Sequence, residues 1–333
     1  MKFLSLGGIN EHGRNAFLIE SPHHKILLDC GLGEKGELPD FSKIDVSTLN
    51  ALFLSHSHLD HTGAVGELFK RGFHGQVFLS KPTYDCIGLT NFKPFFLHYQ
   101  EKRDVFNWLS VKAFRSGHCF GAFGYDIRME EKTIIYTGDY LEDSIFSCDE
   151  IRNLERDVAI VDGAYPADEK CMEDNKSAFL KLIASLGKNI ILPLPKNGRG
   201  IEVISIFNDH GIPYSIVGEP FFHEEENDYL KKKVDIRPSD NSNILLVADP
   251  QLKKKESQDI VAKHPSFSLI FTGTVDEGSV SSYLLGTRKN TFFQRINVHQ
   301  THLEAETLIK KNQFKKAVIF HNKETKEKTS FSF

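Results

Sequence analysis

Six consecutive residues, His56-Ser-His58-Leu-Asp60-His61, carry three imidazoles and a carboxylate, and few folds can hold such a cluster. A short apolar run, Ala51 to Leu54, precedes it and reads as a buried strand. Gly63 and the spaced apolar residues Ala64, Leu68 and Phe69 follow it and read as a helix start. The four polar groups are therefore expected on a tight loop between a strand and a helix. Buried there, each ring needs hydrogen-bond partners and the carboxylate needs a counter-charge. A divalent metal meets both needs, since neutral imidazole and carboxylate are its usual ligands. A lone histidine would support no such inference.

The same device recurs along the chain. The strand Ile134-Ile-Tyr136 runs into Thr137-Gly138-Asp139, the strand from Val158 ends in Asp162-Gly163, and the strand from Ala317 ends in His321. Layered α/β proteins gather ligands at the carboxyl ends of strands, so His56, Asp139, Asp162 and His321 are expected to share one site. His118, in Arg115-Ser-Gly-His-Cys-Phe-Gly-Ala122, is flanked by glycines that let backbone approach closely. Before the cluster, Phe3 to Leu6 reads as a strand, and Ala16 to Glu20 with Lys25 to Asp29 as a hairpin pair. His12, His23 and His24 have no ligand spacing and read as surface residues. The aromatic-rich stretch from Pro82 to Trp108 suits core packing, with a substrate wall as the alternative.

Between about Pro166 and Gly286 the texture changes to a regular α/β alternation. Phe179, Leu182, Ile183 and Leu186 follow helical spacing with Gly187 as the stop, and strands read at Asn189 to Leu194, Tyr214 to Val217, Ile244 to Ala248 and Leu269 to Thr272. An inserted domain over 166–285 is expected, within a first domain made of 1–165 and 286–333. Gly198-Arg199-Gly200 at a helix start suits a phosphate, although glycine before a helix also serves geometry alone. His302, in Val298-His-Gln-Thr-His302-Leu-Glu304, precedes a helix with Ala305, Leu308 and Ile309 on one face.

The bulk properties narrow the class. Of 333 residues, 40% are apolar and 26% charged, an ordinary globular balance. Neither a signal peptide nor a membrane-spanning segment is expected, because every apolar run is too short. Five cysteines without a paired pattern suit a reducing compartment, so the expected location is cytoplasmic. The net charge of −4 counts mildly against a nucleic-acid substrate. Clustering matters more than the total, and lysine runs stand at 231–233, 253–255, 310–311 and 315–316. Solvated surface is the plainer reading of each run.

These residues resemble the metallo-β-lactamase superfamily. His56-Ser-His58-Leu-Asp60-His61 is similar to its signature, His118 to its third motif, Asp139 to its bridging carboxylate, and Asp29 to the acidic residue that closes an early strand. Within it, the chain looks like the β-CASP nucleases, which include RNase J and the endonuclease subunit of the mRNA 3′-end cleavage factor. Asp162 falls at the family's acidic motif A, His302 at motif B and His321 at motif C; 190–200 and 271–279 are similar to motifs of the β-CASP insert. Two departures stand out. Motif A continues with Gly163-Ala164 in place of hydroxyl residues, and motif C reads His321-Asn-Lys-Glu in place of His-Gly-Glu. The C-terminal RNA-binding or dimerisation domain of larger relatives is expected to be absent, and a homodimer stays open.

The resemblance implies an αββα sandwich with an inserted α/β domain. It implies two metals, Zn²⁺ or else Mn²⁺, one on His56, His58 and His118 and the other on Asp60, His61 and His321, bridged by Asp139. Ions about 3.5–4 Å apart can share a hydroxide and brace both oxygens of an in-line displacement. Asp60 would also orient the hydroxide. Asp162 would hold His302 as proton donor to the leaving 3′ oxygen, or the two would form a structural pair. A metal-dependent ribonuclease is thus expected, with RNA as partner. The alternatives are a hydrolase of the same fold acting on DNA or a small phosphodiester or ester, and a non-catalytic subunit of an RNA-processing complex.

Overall fold

Residues in a strand point alternately to opposite faces, and that period builds the first layers here. In Lys25–Leu28 (β3), Ile26 and Leu28 pack into one core while Leu27 faces another. In Lys132–Tyr136 (β10), Ile134 and Tyr136 point one way and Ile135 the other. Such doubly buried strands need layers on both sides. A computed structural model describes the chain except residues 90, 91, 147, 167, 168, 197, 220, 222–237, 240 and 241. It forms two compact units, Met1–Glu169 with His299–Phe333, and Lys170–Val298.

The first unit holds two sheets. One has the order β18-β1-β2-β3-β4-β5-β6, from Ser330–Ser332 (β18), Lys2–Gly7 (β1), Ala16–Glu20 (β2), β3, Ala51–Phe53 (β4), Gln76–Leu79 (β5) and Pro94–Phe96 (β6). The other has the order β17-β11-β10-β9-β8-β7, from Gln313–Phe320 (β17), Glu155–Asp162 (β11), β10, Phe123–Met129 (β9), Leu109–Arg115 (β8) and Lys102–Phe106 (β7). Phe17, Phe53 and Phe78 from the first sheet share a core with Tyr125, Tyr136, Ile160 and Phe320 from the second. The outer face of the first sheet is covered by Val65 and Leu68 of Val65–Lys70 (α2). The outer face of the second is covered by Ala305 and Leu308 of His302–Lys310 (α8). The result is an αββα sandwich. Leu59–Thr62 (α1) is a single turn, and Lys81–Ile87 (α3) follows β5. The aromatic-rich stretch supplies β6 and β7, strands that its aromatic composition does not announce.

The second unit is a five-stranded parallel sheet, order β13-β14-β12-β15-β16, from Ile190–Pro193 (β12), Ser215–Val217 (β13), Ile244–Val247 (β14), Ser268–Phe271 (β15) and Thr291–Phe293 (β16). Met172–Leu186 (α4) meets Arg199–Asp209 (α5) through Phe179 and Phe207, stacked at 5.8 Å. Lys255–Lys263 (α6) and Val280–Thr287 (α7) pack on the sheet through Val261, Val280 and Leu284. Sequence texture put the return to the first domain at residue 286, whereas the compact units divide at 298/299. The reason is physical: β16 pairs with β15, and Asn297 is tied to Asn175 at 2.8 Å and to the Lys170 carbonyl at 3.0 Å. Gly198-Arg199 opens α5, but Arg199 Nε donates to the Ile296 carbonyl at 2.9 Å, a structural use.

Candidate metal centre

Strand direction decides which side chains meet. β3, β4 and β5 run parallel, as do β10, β11 and β17. Asp29 follows β3, and His56 follows β4 by way of Leu54 and Ser55. Asp139 follows β10, Asp162 ends β11, and His321 follows β17. All are buried. Both Asp29 and His321 lie in the left-handed backbone region, at φ 57° and 70°. That conformation is costly for a residue with a side chain and tends to persist where function needs the placement.

The loop carrying Asp60 and His61 is clamped through backbone. Cys30 N–H donates to the His61 carbonyl at 2.8 Å, Leu32 N–H to Leu59 at 2.9 Å, and Asn15 N–H to Asp60 at 3.0 Å. Gly31 makes this approach feasible: a Cβ there would lie 1.6 Å from the Asp60 carbonyl oxygen.

Three groups of ligand atoms result, each with its members within 4.8 Å of one another: His56, His58, His118 and Asp139; Asp60, His61, Asp139 and His321; and Asp139, Asp162, His299 and His321. Asp139 belongs to all three. His58 Nδ1 lies 3.0 Å from both His56 Nε2 and His118 Nε2. His61 gives its Nδ1 to Asp29 Oδ2 at 2.6 Å, and Ser55 N–H and O–H donate to the same carboxylate, each at 2.7 Å. Tyr136 O–H donates to it as well. With Nδ1–H given to Asp29, His61 Nε2 lies 3.0 Å from Asp139 Oδ1, 3.6 Å from Asp60 Oδ2 and 2.9 Å from the Asn15 side-chain amide nitrogen. Imidazoles and carboxylates packed this closely call for protons or a metal cation among them. Asp139 Oδ1 and His321 Nδ1 are moreover buried without a hydrogen-bond partner. The donor set therefore fits divalent metal, and orienting a ligand imidazole by a buried carboxylate is the usual support for one.

Charge follows the same division. Burial holds the His56 and His58 imidazoles below their ordinary pKa, in the neutral form that binds metal. Burial also disfavours charge on His61 and His321, but the surrounding carboxylates, Asp139 foremost, outweigh it and raise both. In Asp60 and Asp139 burial is outweighed in turn by the histidines, His61 foremost, and both carboxyls are held ionised.

One pairing differs from the sequence expectation. Asp162 Oδ2 accepts from His299 Nδ1 at 3.0 Å, and its two carboxylate oxygens also accept from the Tyr140 and Ala164 N–H groups. His302, expected at that carboxylate, is the first residue of α8 and has Glu306 Oε1 3.6 Å from its Nε2. The cause is the capping box of Thr301 and Glu304, which fixes the helix start so that His299 remains in the loop crossing the strand ends. The usable signal was the same Thr301-x-x-Glu304 pattern, which puts the helix boundary between the two histidines. His12 and His24 are not plain surface residues either: His24 stacks on Trp108 at 4.0 Å, and His12 meets the edge of His321 at 5.6 Å.

Each of the two motif departures has a local structural setting. A Cβ on Gly163 would fall 2.4 Å from Ile319 Cγ2, so a hydroxyl residue does not fit there. Asn322 instead donates its amide to the Gly163 carbonyl at 2.9 Å, joining the ends of β11 and β17.

Comparison with known proteins agrees with this geometry. Residues 9–79 match the model of the metallo-beta-lactamase superfamily. The chain is 24% identical over 319 residues to an RNase J-like protein of Methanocaldococcus jannaschii, covering 84% of this chain and 73% of that protein. It is 29% identical over 240 residues to the cleavage and polyadenylation specificity factor 73 of Drosophila melanogaster, covering 61% of this chain and 35% of that protein. With the endoribonuclease ysh1 of Schizosaccharomyces pombe, identity is 27% over 245 residues, covering 63% of this chain and 32% of that protein. The matched region thus spans about a third of these last two relatives. A crystal structure of a protein of unknown function from Enterococcus faecalis V583 shares the fold, with a TM-score of 0.61, 14% identity, and 97% of this chain and 94% of that chain covered. The signature loop, the αββα layers and these relatives point the same way: over residues 9–79 the chain is similar to the metallo-β-lactamase superfamily, and the relatives that match beyond that region are endoribonucleases and an RNase J-like protein.

Proposed function

We propose that the protein is a metal-dependent ribonuclease that hydrolyses RNA phosphodiester bonds. The observation that carries this reading is the convergence of His56, His58, Asp60, His61, His118 and His321 on Asp139, in a chain whose relatives include endoribonucleases. His56, His58 and His118 would hold one divalent ion, Asp60, His61 and His321 a second, with Asp139 between them. The imidazole-rich set favours Zn²⁺, with Mn²⁺ as the other candidate. Two ions so held would supply a nucleophile at neutral pH and brace the attacking and leaving oxygens. Asp162 accepts from Nδ1 of His299, which leaves His299 Nε2 to hold a proton for the leaving 3′ oxygen. His299 takes the role that the sequence assigned to His302. The unit Lys170–Val298 would be the β-CASP insert. Five cysteines without a paired pattern support a cytoplasmic location, and light scattering would test for a homodimer.

The test offers end-labelled RNA, DNA of the same sequence and bis(p-nitrophenyl) phosphate to protein loaded with Zn²⁺ or Mn²⁺. RNA alone should be cut. Asp60→Ala and His299→Ala should lose at least about a hundredfold in rate, whereas His302→Ala should stay within a few-fold of the parent protein. Cutting of DNA or of the small diester alone would replace ribonuclease by another hydrolase of this fold. No cutting by a protein shown to hold two metals would favour a non-catalytic subunit.

A further inference from the structure

One histidine at the metal centre belongs to none of the ligand groups. His12 lies in the loop between β1 and β2, partly buried, with its ring edge against His321 at 5.6 Å between centroids. Its neighbourhood is polar: it feels the charges of His321, Lys323 and Glu34, and Lys323 pairs with Glu34 at 3.1 Å. Among the described residues neither ring nitrogen has a hydrogen-bond partner. An imidazole placed for packing would sit among apolar groups, and one placed for structure would be bonded.

The loop that carries it is held at many points. Glu11 accepts from Gly8 N–H at 2.8 Å and from Arg14 Nε and Nη2, each at 3.0 Å. Arg14 N–H donates to the Leu32 carbonyl at 2.9 Å, and Asn10 accepts from Glu327 N–H at 2.9 Å. His321 N–H donates to the Gly8 carbonyl at 2.8 Å, so the loop and the ligand His321 are joined directly. Asn15 N–H reaches the Asp60 carbonyl at 3.0 Å, which ties the far end of the loop to the second ligand of that group. The imidazole is thus preset beside the Asp60, His61 and His321 group, and in either protonation state it has at least one N–H to give.

We propose that His12 is a substrate-contact residue that donates an N–H to a phosphate oxygen of the nucleic-acid strand on the His321 side of the centre. This rests on the phosphodiesterase reading of the site. The contact adds to binding and orientation of the strand and takes no part in holding metal.

The experiment compares His12→Phe, which keeps a ring without a donor, with His12→Gln, which keeps a donor without the ring. Three readouts are taken on metal-loaded protein: metal per chain, kcat and KM on RNA, and the Kd for inorganic phosphate by calorimetry. His12→Phe should keep the parent metal content, lose about tenfold to a hundredfold in kcat/KM, and weaken phosphate by a similar factor. His12→Gln should recover most of both losses. Should the parent protein cut no RNA and yet lose phosphate affinity in His12→Phe but not in His12→Gln, the contact stands and the ribonuclease reading falls. Parent-like phosphate affinity in His12→Phe overturns the proposal. So does an equal loss in both variants, or a loss that tracks missing metal.

Discussion

Asp29 shows how one residue sets the chemistry of its neighbours. Its carboxylate is buried and takes four donors, from Ser55 N–H, Ser55 O–H, His61 Nδ1 and Tyr136 O–H. It touches no metal-facing atom, yet it chooses which nitrogen of His61 faces Asp139. Asp29→Asn should therefore keep the fold and lose roughly 10–100-fold in metal affinity, read by competition with a chelator. Parent-like affinity in a folded Asp29→Asn protein would show that His61 is oriented by its other contacts. The signature histidines and Asp139 were legible in sequence because metal ligation needs those residue types close together. His299 was harder to find, because its partner Asp162 is 137 positions away and the local capping pattern at Thr301 and Glu304 marks only the helix boundary, not the pair. Gly163 and Asn322 each have a local reason: Ile319 fills the space a Cβ at 163 would need, and the Asn322 amide holds the Gly163 carbonyl.

At the scale of elements, the site depends on β10, β11 and β17 staying in register, since Asp139, Asp162 and His321 sit at their ends. Asp157 helps to lock that register from the opposite end of the strands. It accepts from Thr133 N–H at 2.9 Å, Thr133 O–H at 3.0 Å and Lys315 Nζ at 2.9 Å, with Lys132 at 3.4 Å. Partial burial alone would raise its pKa, but Lys315 and Thr133 outweigh burial and lower it. A carboxyl whose pKa is lower folded than unfolded adds stability above the unfolded value, about 3.9, and loses it as pH falls through the folded value. Asp157→Asn should thus lower Tm by a few degrees at pH 7, and the gap from the parent protein should close as pH drops below about 4. A gap that stays constant with pH would mean that the ion pairs contribute nothing. Strand periodicity made these elements readable. The pairing order of β17 beside β11 was not readable, because parallel neighbours so far apart in sequence leave no local trace.

For the whole molecule, every metal-competent group found among the described residues lies in the unit Met1–Glu169 with His299–Phe333. Metal should accordingly stabilise that unit, by about 2.7 kcal/mol at a free concentration a hundredfold above Kd. Hydrogen exchange by mass spectrometry should show slowed amides around Asp60, Asp139 and His321 on adding Zn²⁺, with the sheet of Lys170–Val298 unchanged. Equal protection in both units would contradict that confinement. Among the described residues, several lysines of the runs stand in ion pairs: Lys253, Lys254 and Lys255 with Asp276, Glu219 and Asp259, Lys310 with Glu306 and Lys315 with Asp157. The run at 231–233 lies outside the described residues. Among the described residues no helix is long and apolar enough to cross a membrane. The sequence by itself determined the layered α/β class and most of the histidines and carboxylates that converge on Asp139, because burial period and residue type are local properties. Only the tertiary structure decided that Asp162 takes His299, that the second unit runs to Val298 and that His12 stands at the centre, because each depends on contacts between segments far apart in the chain.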